Sequence, residues 1–415
     1  MGIVVNPVPA EYLTLFILGA GIILMIGFLG RAIARKTSIP HIIWLMLFGI
    51  VLGPILGVFS RQSLLSFAPF ITGLVIMLVL FNAGLNLSLT KLLRSMSKAV
   101  TLSLVNFVVV VLLVTLVMYF IGFSIILSIL LGSIVAGVSS SAITSITQKI
   151  NRKDKDTELV EVESTISEPL GIILVLVLIG AILLHNYSLE FVSTALISEF
   201  SIGILLGGLV GVLWVPLMGF FQRKRYEYSY VASLALVFLL YVGVQAVNGS
   251  GPASALVFGI VIANGEGVFR SLHYRHETSF TLSPESKDFN NLVTFITASF
   301  FFVYFGTLIS LTDYAGFIIG IMIAIVIFLS RQIGTRMALY KSAYSTQDKM
   351  IVSSMVSRGI GAAVVAALPI VYGIEGSGAF LDIVFAVIFV TIFINSTMVL
   401  SFRSKNLQVK PAAGE

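Results

Sequence analysis

Glu163-Ser164-Thr165-Ile166-Ser167-Glu168-Pro169-Leu170-Gly171 sets two carboxylates and a proline inside a stretch, about residues 158–184, that is otherwise strongly apolar. A run of that length crosses a hydrocarbon core of ~30 Å as a helix. At about 1.5 Å per residue Glu168 lies roughly 15 Å into the span, at the bilayer centre, where an ionisable side chain is costly and functional by default. Desolvation disfavours the charged form of a carboxylate, so such a group can take up a proton and hold a cation once the proton has left. Glu163 points roughly 140° around the helix from Glu168. Glu161 falls near the inner interface, where it would solvate a cytoplasmic funnel.

The rest of the chain repeats the apolar pattern. Of its 415 residues 58% are hydrophobic and 11% charged, against roughly 25% charged in soluble domains, which excludes an ordinary soluble protein. Thirteen spans are read, at about 10–35, 39–57, 63–88, 99–121, 124–148, 158–184, 196–221, 228–247, 251–265, 291–311, 313–341, 350–373 and 379–402. The first starts too late and runs too long for a cleaved signal peptide. When the spans alternate sides, 22 of the 25 Lys and Arg residues fall on one side, Arg61 falls on the other, and Arg331 and Arg358 lie within spans. That bias predicts a multi-pass protein of the cell membrane with its N-terminus outside and its C-terminus in the cytoplasm. The net charge of +6 is therefore topological and does not point to nucleic acid. The chain has no cysteine, which excludes disulfides and thiol chemistry.

Thirteen spans divide as six, one and six, an arrangement that returns the second six inverted. Phe48-Gly49-Ile50-Val51 is matched seven spans later by Phe258-Gly259-Ile260-Val261, and Leu87-Ser88-Leu89-Thr90 by Ile309-Ser310-Leu311-Thr312. The fold expected is an all-α polytopic membrane protein with a 6+1+6 inverted repeat and two discontinuous crossing helices at the midplane. Span five carries the polar run Gly137 to Ser145, and span twelve carries Ser357-Arg358-Gly359-Ile360-Gly361, again seven spans apart. Small residues also serve close helix packing, but a partner in register favours broken helices that offer dipole ends and carbonyls to an ion. An arginine stranded at mid-membrane would be very costly. Glu163 with Arg358 is therefore assigned as a structural pair, with Arg331 auxiliary, and Glu168 is left to transport. His273, His276 and Glu277 have a helical metal-ligand spacing without a third ligand signature, so a solvated loop is expected there. Asp382 is read as an interfacial residue at the outer end of span thirteen. Phosphate-cradling and hydrolase motifs do not occur, so neither an ATP-driven mechanism nor a cofactor is expected.

These residues resemble the monovalent cation/proton antiporter superfamily, nearest to the NhaP-type sodium/proton exchangers, over essentially the whole membrane region. The quoted stretch is similar to that family's Glu-Ser-x-x-Asn-Asp-Pro-Leu-Gly helix. Phe81-Asn82-Ala83-Gly84-Leu85-Asn86-Leu87, Phe301 to Gly306 and Ser357-Arg358-Gly359 support it. The resemblance implies that Glu163 is the structural acid paired with Arg358 and that Glu168 binds the transported Na⁺ or K⁺ and the proton. Ser167, Ser139, Ser140 and Thr144 would supply neutral oxygen ligands. It further implies a homodimer. The dimerisation domain would comprise residues 1–98 and 228–312, the transport core 99–190 and 313–403, with a linker helix at 191–227 and a tail at 404–415. Three departures stand out: Ser167 replaces the family's Asn, Glu168 its Asp, and Val138-Ser139-Ser140 its Thr-Asp-Pro. Ser139-Ser140-Ser141-Ala142 looks more like the Ser-Ser-Thr-Ala of Kef-type potassium efflux proteins. No nucleotide-binding domain follows the last span in this sequence, so control by a nucleotide would need a separate subunit or a segment absent from this chain. The activity expected is electroneutral exchange of one Na⁺ or K⁺ for one H⁺ by alternating access. The alternatives are a transport-silent or sensory homologue and a sodium-coupled organic-anion symporter, for which no solute pocket is evident.

Overall fold

The computed structural model describes residues 10–37, 40–58, 61–139, 155–223, 229–267, 284–312, 314–342 and 344–408. Among them every regular element is a helix. Without water in a hydrocarbon core each backbone N–H and C=O must pair within its own segment, which a helix achieves and an open strand does not. In chain order the helices are α1 (Ala10–Thr37), α2 (His41–Ile50), α3 (Arg61–Asn86), α4 (Leu89–Ile121), α5 (Ile125–Ile134), α6 (Lys155–Leu183), α7 (Leu189–Arg223) and α8 (Ser229–Ala246). They continue with α9 (Gly251–Ala263), α10 (Pro284–Thr307), α11 (Tyr314–Ala338), α12 (Thr346–Ser354), α13 (Ile360–Ala366), α14 (Leu368–Val371) and α15 (Phe380–Gln408). α2 runs on as a π-helical turn, Val51–Ile55, around Pro54, whose ring cannot join a regular ladder.

Among the described residues seven helical stretches are long and apolar enough to cross a membrane, and six shorter apolar helices accompany them. Local chemistry sets several ends. Ser124 Oγ accepts from Leu127 N–H at the start of α5, and Ser250 Oγ accepts from Ala253 N–H at the start of α9. Ser345 and Asp348 cap α12 reciprocally. α5 stops at Ile134, and the chain continues without helix to Ser139. α12 stops at Ser354, residues 355–359 are not helical, and α13 begins at Ile360. The seventh span begins at Leu189, earlier than the hydropathy alone marks it.

The helices pack in two sets. α4 lies against α5, α6 and α11; α11 lies against α12 and α15; α13 lies against α6 and α15. In the other set α2 lies on α1 and α10, α3 on α10, and α9 on α3, α7 and α8. The sets meet where α3 touches α13 and α14 and where α6 touches α7 and α9. Of the seven long spans α6 and α15 are the most enclosed, with 61% and 72% of their apolar windows buried against 28% for α4 and α7. The carboxylate-bearing helix is therefore central.

Two crossings in the second set bring backbone against backbone. A Cβ on Gly49 would stand 2.2 Å from Val303 O, and one on Gly306 2.3 Å from Met46 O, where α2 meets α10. Where α3 meets α9, a Cβ on Gly84 would stand 2.2 Å from Leu256 O and one on Gly259 2.5 Å from Phe81 O. Lipid gives helices no hydrophobic reason to associate, so the dispersion contacts that such close approach permits carry much of the attraction.

Candidate functional site

Both acids of the α6 stretch are buried, Glu163 at 0% and Glu168 at 6% exposure. They serve different neighbours, as their angular separation requires. Glu163 faces α4 and α11. Arg331 of α11, itself fully buried, grips it with both terminal nitrogens, Nη1 on Oε1 and Nη2 on Oε2, the latter at 2.7 Å. Asn106 Nδ2 of α4 adds a hydrogen bond to Oε1 at 3.1 Å. Arg331 also donates to Val352 O from Nε at 3.3 Å and Nη2 at 3.2 Å, near the C-terminal end of α12. One guanidinium thus neutralises a carboxylate and supplies donors to a carbonyl near a helix end.

The expected Glu163–Arg358 pair is therefore corrected: the partner is Arg331. Arg358 turns the other way. Its Nε donates to Val135 O, just past the end of α5, and its Nη1 donates to Val356 O at 2.9 Å. A cation at a helix C-terminus complements the partial negative charge of the carbonyls there. The Arg358 N–H donates to Thr391 Oγ1 of α15 at 3.2 Å, which anchors the non-helical turn. The physical reason for the exchange of roles is the break itself, because residues 355–359 follow no helical period and Arg358 does not point where a continuous helix would send it.

The non-helical stretches after α5 and before α13 touch. Ser139 N–H donates to Ser357 O at 3.0 Å, and Val138 N–H donates to Ser167 Oγ at 3.2 Å. Asn395 Nδ2 of α15 donates to Ser357 Oγ. Gly361 N–H, in the first turn of α13, donates to Glu168 Oε1 at 3.1 Å. A Cβ on Gly359 would collide with Ser139 Oγ, and one on Gly361 with Glu168, so the serine and the carboxylate lie against the same short run, Gly359 to Gly361, at the start of α13. Glu168 borders a small cleft whose lining includes the apolar face Val75, Ile76, Val79 and Leu80 of α3. The structure thus brings Glu168, Ser167 and Ser139 to one place. Ser140 and Thr144 lie outside the described residues, as do His273, His276 and Glu277. Glu161 is half-buried near the start of α6.

The family of known proteins called sodium/hydrogen exchanger, transmembrane, matches residues 21–402. The chain belongs to the sodium/hydrogen exchanger family. It is thus a secondary transporter of the monovalent cation/proton antiporter superfamily, and not an enzyme. The chain is 25% identical to Na(+)/H(+) antiporter 1 of Methanocaldococcus jannaschii over 379 residues, which cover 86% of this chain and 82% of that one. It is 22% identical over 280 residues to K(+)/H(+) antiporter NhaP2 of Shewanella sp. strain ANA-3, covering 66% of this chain and 46% of the relative. Its fold resembles that of the sodium proton antiporter MjNhaP1 of M. jannaschii at pH 8, with a TM-score of 0.79 at 21% identity, over 95% of this chain and 99% of the other.

Several residues of this exchanger escaped the sequence reading. Asn106 and Thr391 are neutral and sit in apolar helices, with no spacing signal to mark them. Asp382, read as interfacial, is 1% exposed. Its Oδ1 accepts from Ser310 N–H at 2.8 Å, and its Oδ2 lies 4.0 Å from Arg61 Nη2. It ties α15 to the chain just past α10 and to the start of α3. The signal available was Arg61, the lone basic residue that the span count leaves on the outer side.

Proposed function

We propose that the protein exchanges Na⁺ or K⁺ for H⁺ at Glu168, one for one, by alternating access. The observation that carries this reading is the place of Glu168: a buried carboxylate on the central helix, held by Gly361 N–H where the break before α13 meets the chain just past α5. The hydrogen bonds of both buried arginines go elsewhere, to Glu163 and to backbone carbonyls. Among the described residues no group of three His, Asp or Glu side chains gathers to hold a metal, so neutral oxygens of Ser139 and Ser167 would complete the shell of a partly dehydrated ion. Relatives named as Na⁺/H⁺ and K⁺/H⁺ antiporters support both cations as candidates.

The 6+1+6 inverted repeat of thirteen spans gains support from the glycine crossings. Gly49 and Gly259 are the second residues of the two matched tetrapeptides. Gly84 and Gly306 each precede the other matched pair by the same interval. Each glycine of the first pair is packed on one of the second, which is what a two-fold relation between the halves requires. The set holding α4–α6 and α11–α15 is read as the transport core, moving against a dimerisation domain of α1–α3 and α8–α10, with α7 as linker. The excess of Lys and Arg on one side supports an N-terminus outside the cell membrane. Purified protein in vesicles with an imposed pH gradient tests the activity. Addition of Na⁺ or K⁺ is expected to dissipate the gradient, and failure with both would point to a transport-silent homologue.

A further inference from the structure

Gly361 and Glu168 contend for the same space. A Cβ on Gly361 would stand 2.7 Å from Glu168 Cγ, 2.7 Å from Oε1 and 3.1 Å from Cδ, all inside the ~3.5–4.0 Å at which heavy atoms attract. These atoms belong to one flexible side chain, so a methyl group here would displace the carboxylate. At Gly84 the obstructing atom is a backbone carbonyl, and there a methyl group would displace a helix. The Gly361 N–H meanwhile donates to Oε1 at 3.1 Å. A hydrogen bond to a charged acceptor is stronger than a neutral one and more demanding in geometry. A glutamate also reaches one methylene further from α6 than an aspartate would, and that extra length needs volume on the receiving helix.

We infer that Gly361 is a positioning residue for exchange: its missing side chain admits the Glu168 carboxylate to the first turn of α13, and its N–H holds the carboxylate where the cation binds. The inference rests on the reading of Glu168 as the exchange site. In vesicles, Gly361→Ala is expected to raise the apparent KM for the cation about tenfold, the scale on which one hydrogen bond to a charged group acts. The maximal rate is expected to stay within about twofold of wild type. Thermal unfolding supplies a readout independent of transport: Gly361→Ala lowers Tm in the wild-type background and does not in Glu168→Ala, where no carboxylate is left to displace. An unchanged KM in a protein whose wild type transports overturns the inference and leaves the exchange reading standing. Equal losses of Tm in both backgrounds overturn it as well, and this comparison holds where the single variant is too unstable for transport. A wild type that moves neither Na⁺ nor K⁺ overturns the exchange reading, and the inference falls with it.

Discussion

Glu163 receives three hydrogen bonds, two from Arg331 and one from Asn106, in a place without solvent. Removing one charge of such a pair strands the other in a low dielectric, which typically costs about 3–5 kcal/mol, whereas removing both relieves much of the loss. Glu163→Gln and Arg331→Leu are therefore each expected to lower stability by about 3 kcal/mol, and the double variant by clearly less than the sum. Glu163→Gln with Arg358→Leu should lie nearer additivity, since Arg358 spends its hydrogen bonds on Val135 O and Val356 O. Chemical unfolding in detergent measures these single and double variants, and strict additivity for Glu163 with Arg331 would show that the contact carries no coupling. Glu168 is expected to behave otherwise. In Glu168→Gln the amide oxygen still accepts from Gly361 N–H, but the side chain can neither carry the proton nor neutralise a cation. Vesicle exchange should vanish while thermal stability stays close to wild type. Wild-type turnover in this variant would move the site away from Glu168.

Elements in this protein are joined by contacts that tolerate no added atom. At Gly49, Gly306, Gly84 and Gly259 the nearest obstacle to a Cβ is a carbonyl oxygen of the facing helix, 2.2 to 2.5 Å away. Substitution by alanine must therefore push the facing helices apart, and overpacking of this kind costs about 1–3 kcal/mol. Gly73, on the same helix as Gly84, has nothing within 4 Å of where a Cβ would stand. Gly73→Ala is expected to be neutral or stabilising by about 0.5 kcal/mol, because glycine in a helix interior is entropically costly. A Tm series over the five variants decides it, and a loss at Gly73 equal to that at Gly84 would show that helix propensity, not close approach, governs these positions. At the interrupted elements the logic reverses. Residues 355–359 give up helical hydrogen bonds, and the deficit is met by Arg358, Thr391 and the crossing bond from Ser139 to Ser357. The break is thus held in place by side chains from α15 and by the end of α5.

Over the whole molecule the charge carried per cycle depends on how many groups titrate at the site. Glu163 is held by Arg331, and a serine, Ser139, stands where the resembling family carries an acid, so on the proposed reading Glu168 is the group offered to both cation and proton. One carboxylate that holds either one monovalent cation or one proton moves the same charge in both directions, and the exchange is expected to be electroneutral. The apparent cation affinity should also fall as pH falls, since proton and cation compete for the same oxygens. Transport with and without a clamped membrane potential tests this, and a turnover rate that follows the imposed voltage would require a second titrating group. Much of this was legible in the chain alone. Apolar runs of about 20 residues leave the backbone no choice but helix in lipid, and the depth of Glu163 and Glu168 within one span follows from a fixed rise per residue. The family was legible in the residues around Pro169. Only the tertiary structure decided which arginine answers Glu163. Arg331 and Arg358 are both arginines within spans, and their choice of partner depends on the rotation and register of neighbouring helices, set where Gly334 lets Asn106 of α4 come close to α11. It also decided that Asp382 is buried and that Gly361 makes room for Glu168. These are consequences of distance between segments far apart in sequence, and a hydropathy pattern, which reports only each segment's preference for lipid, carries no information about them.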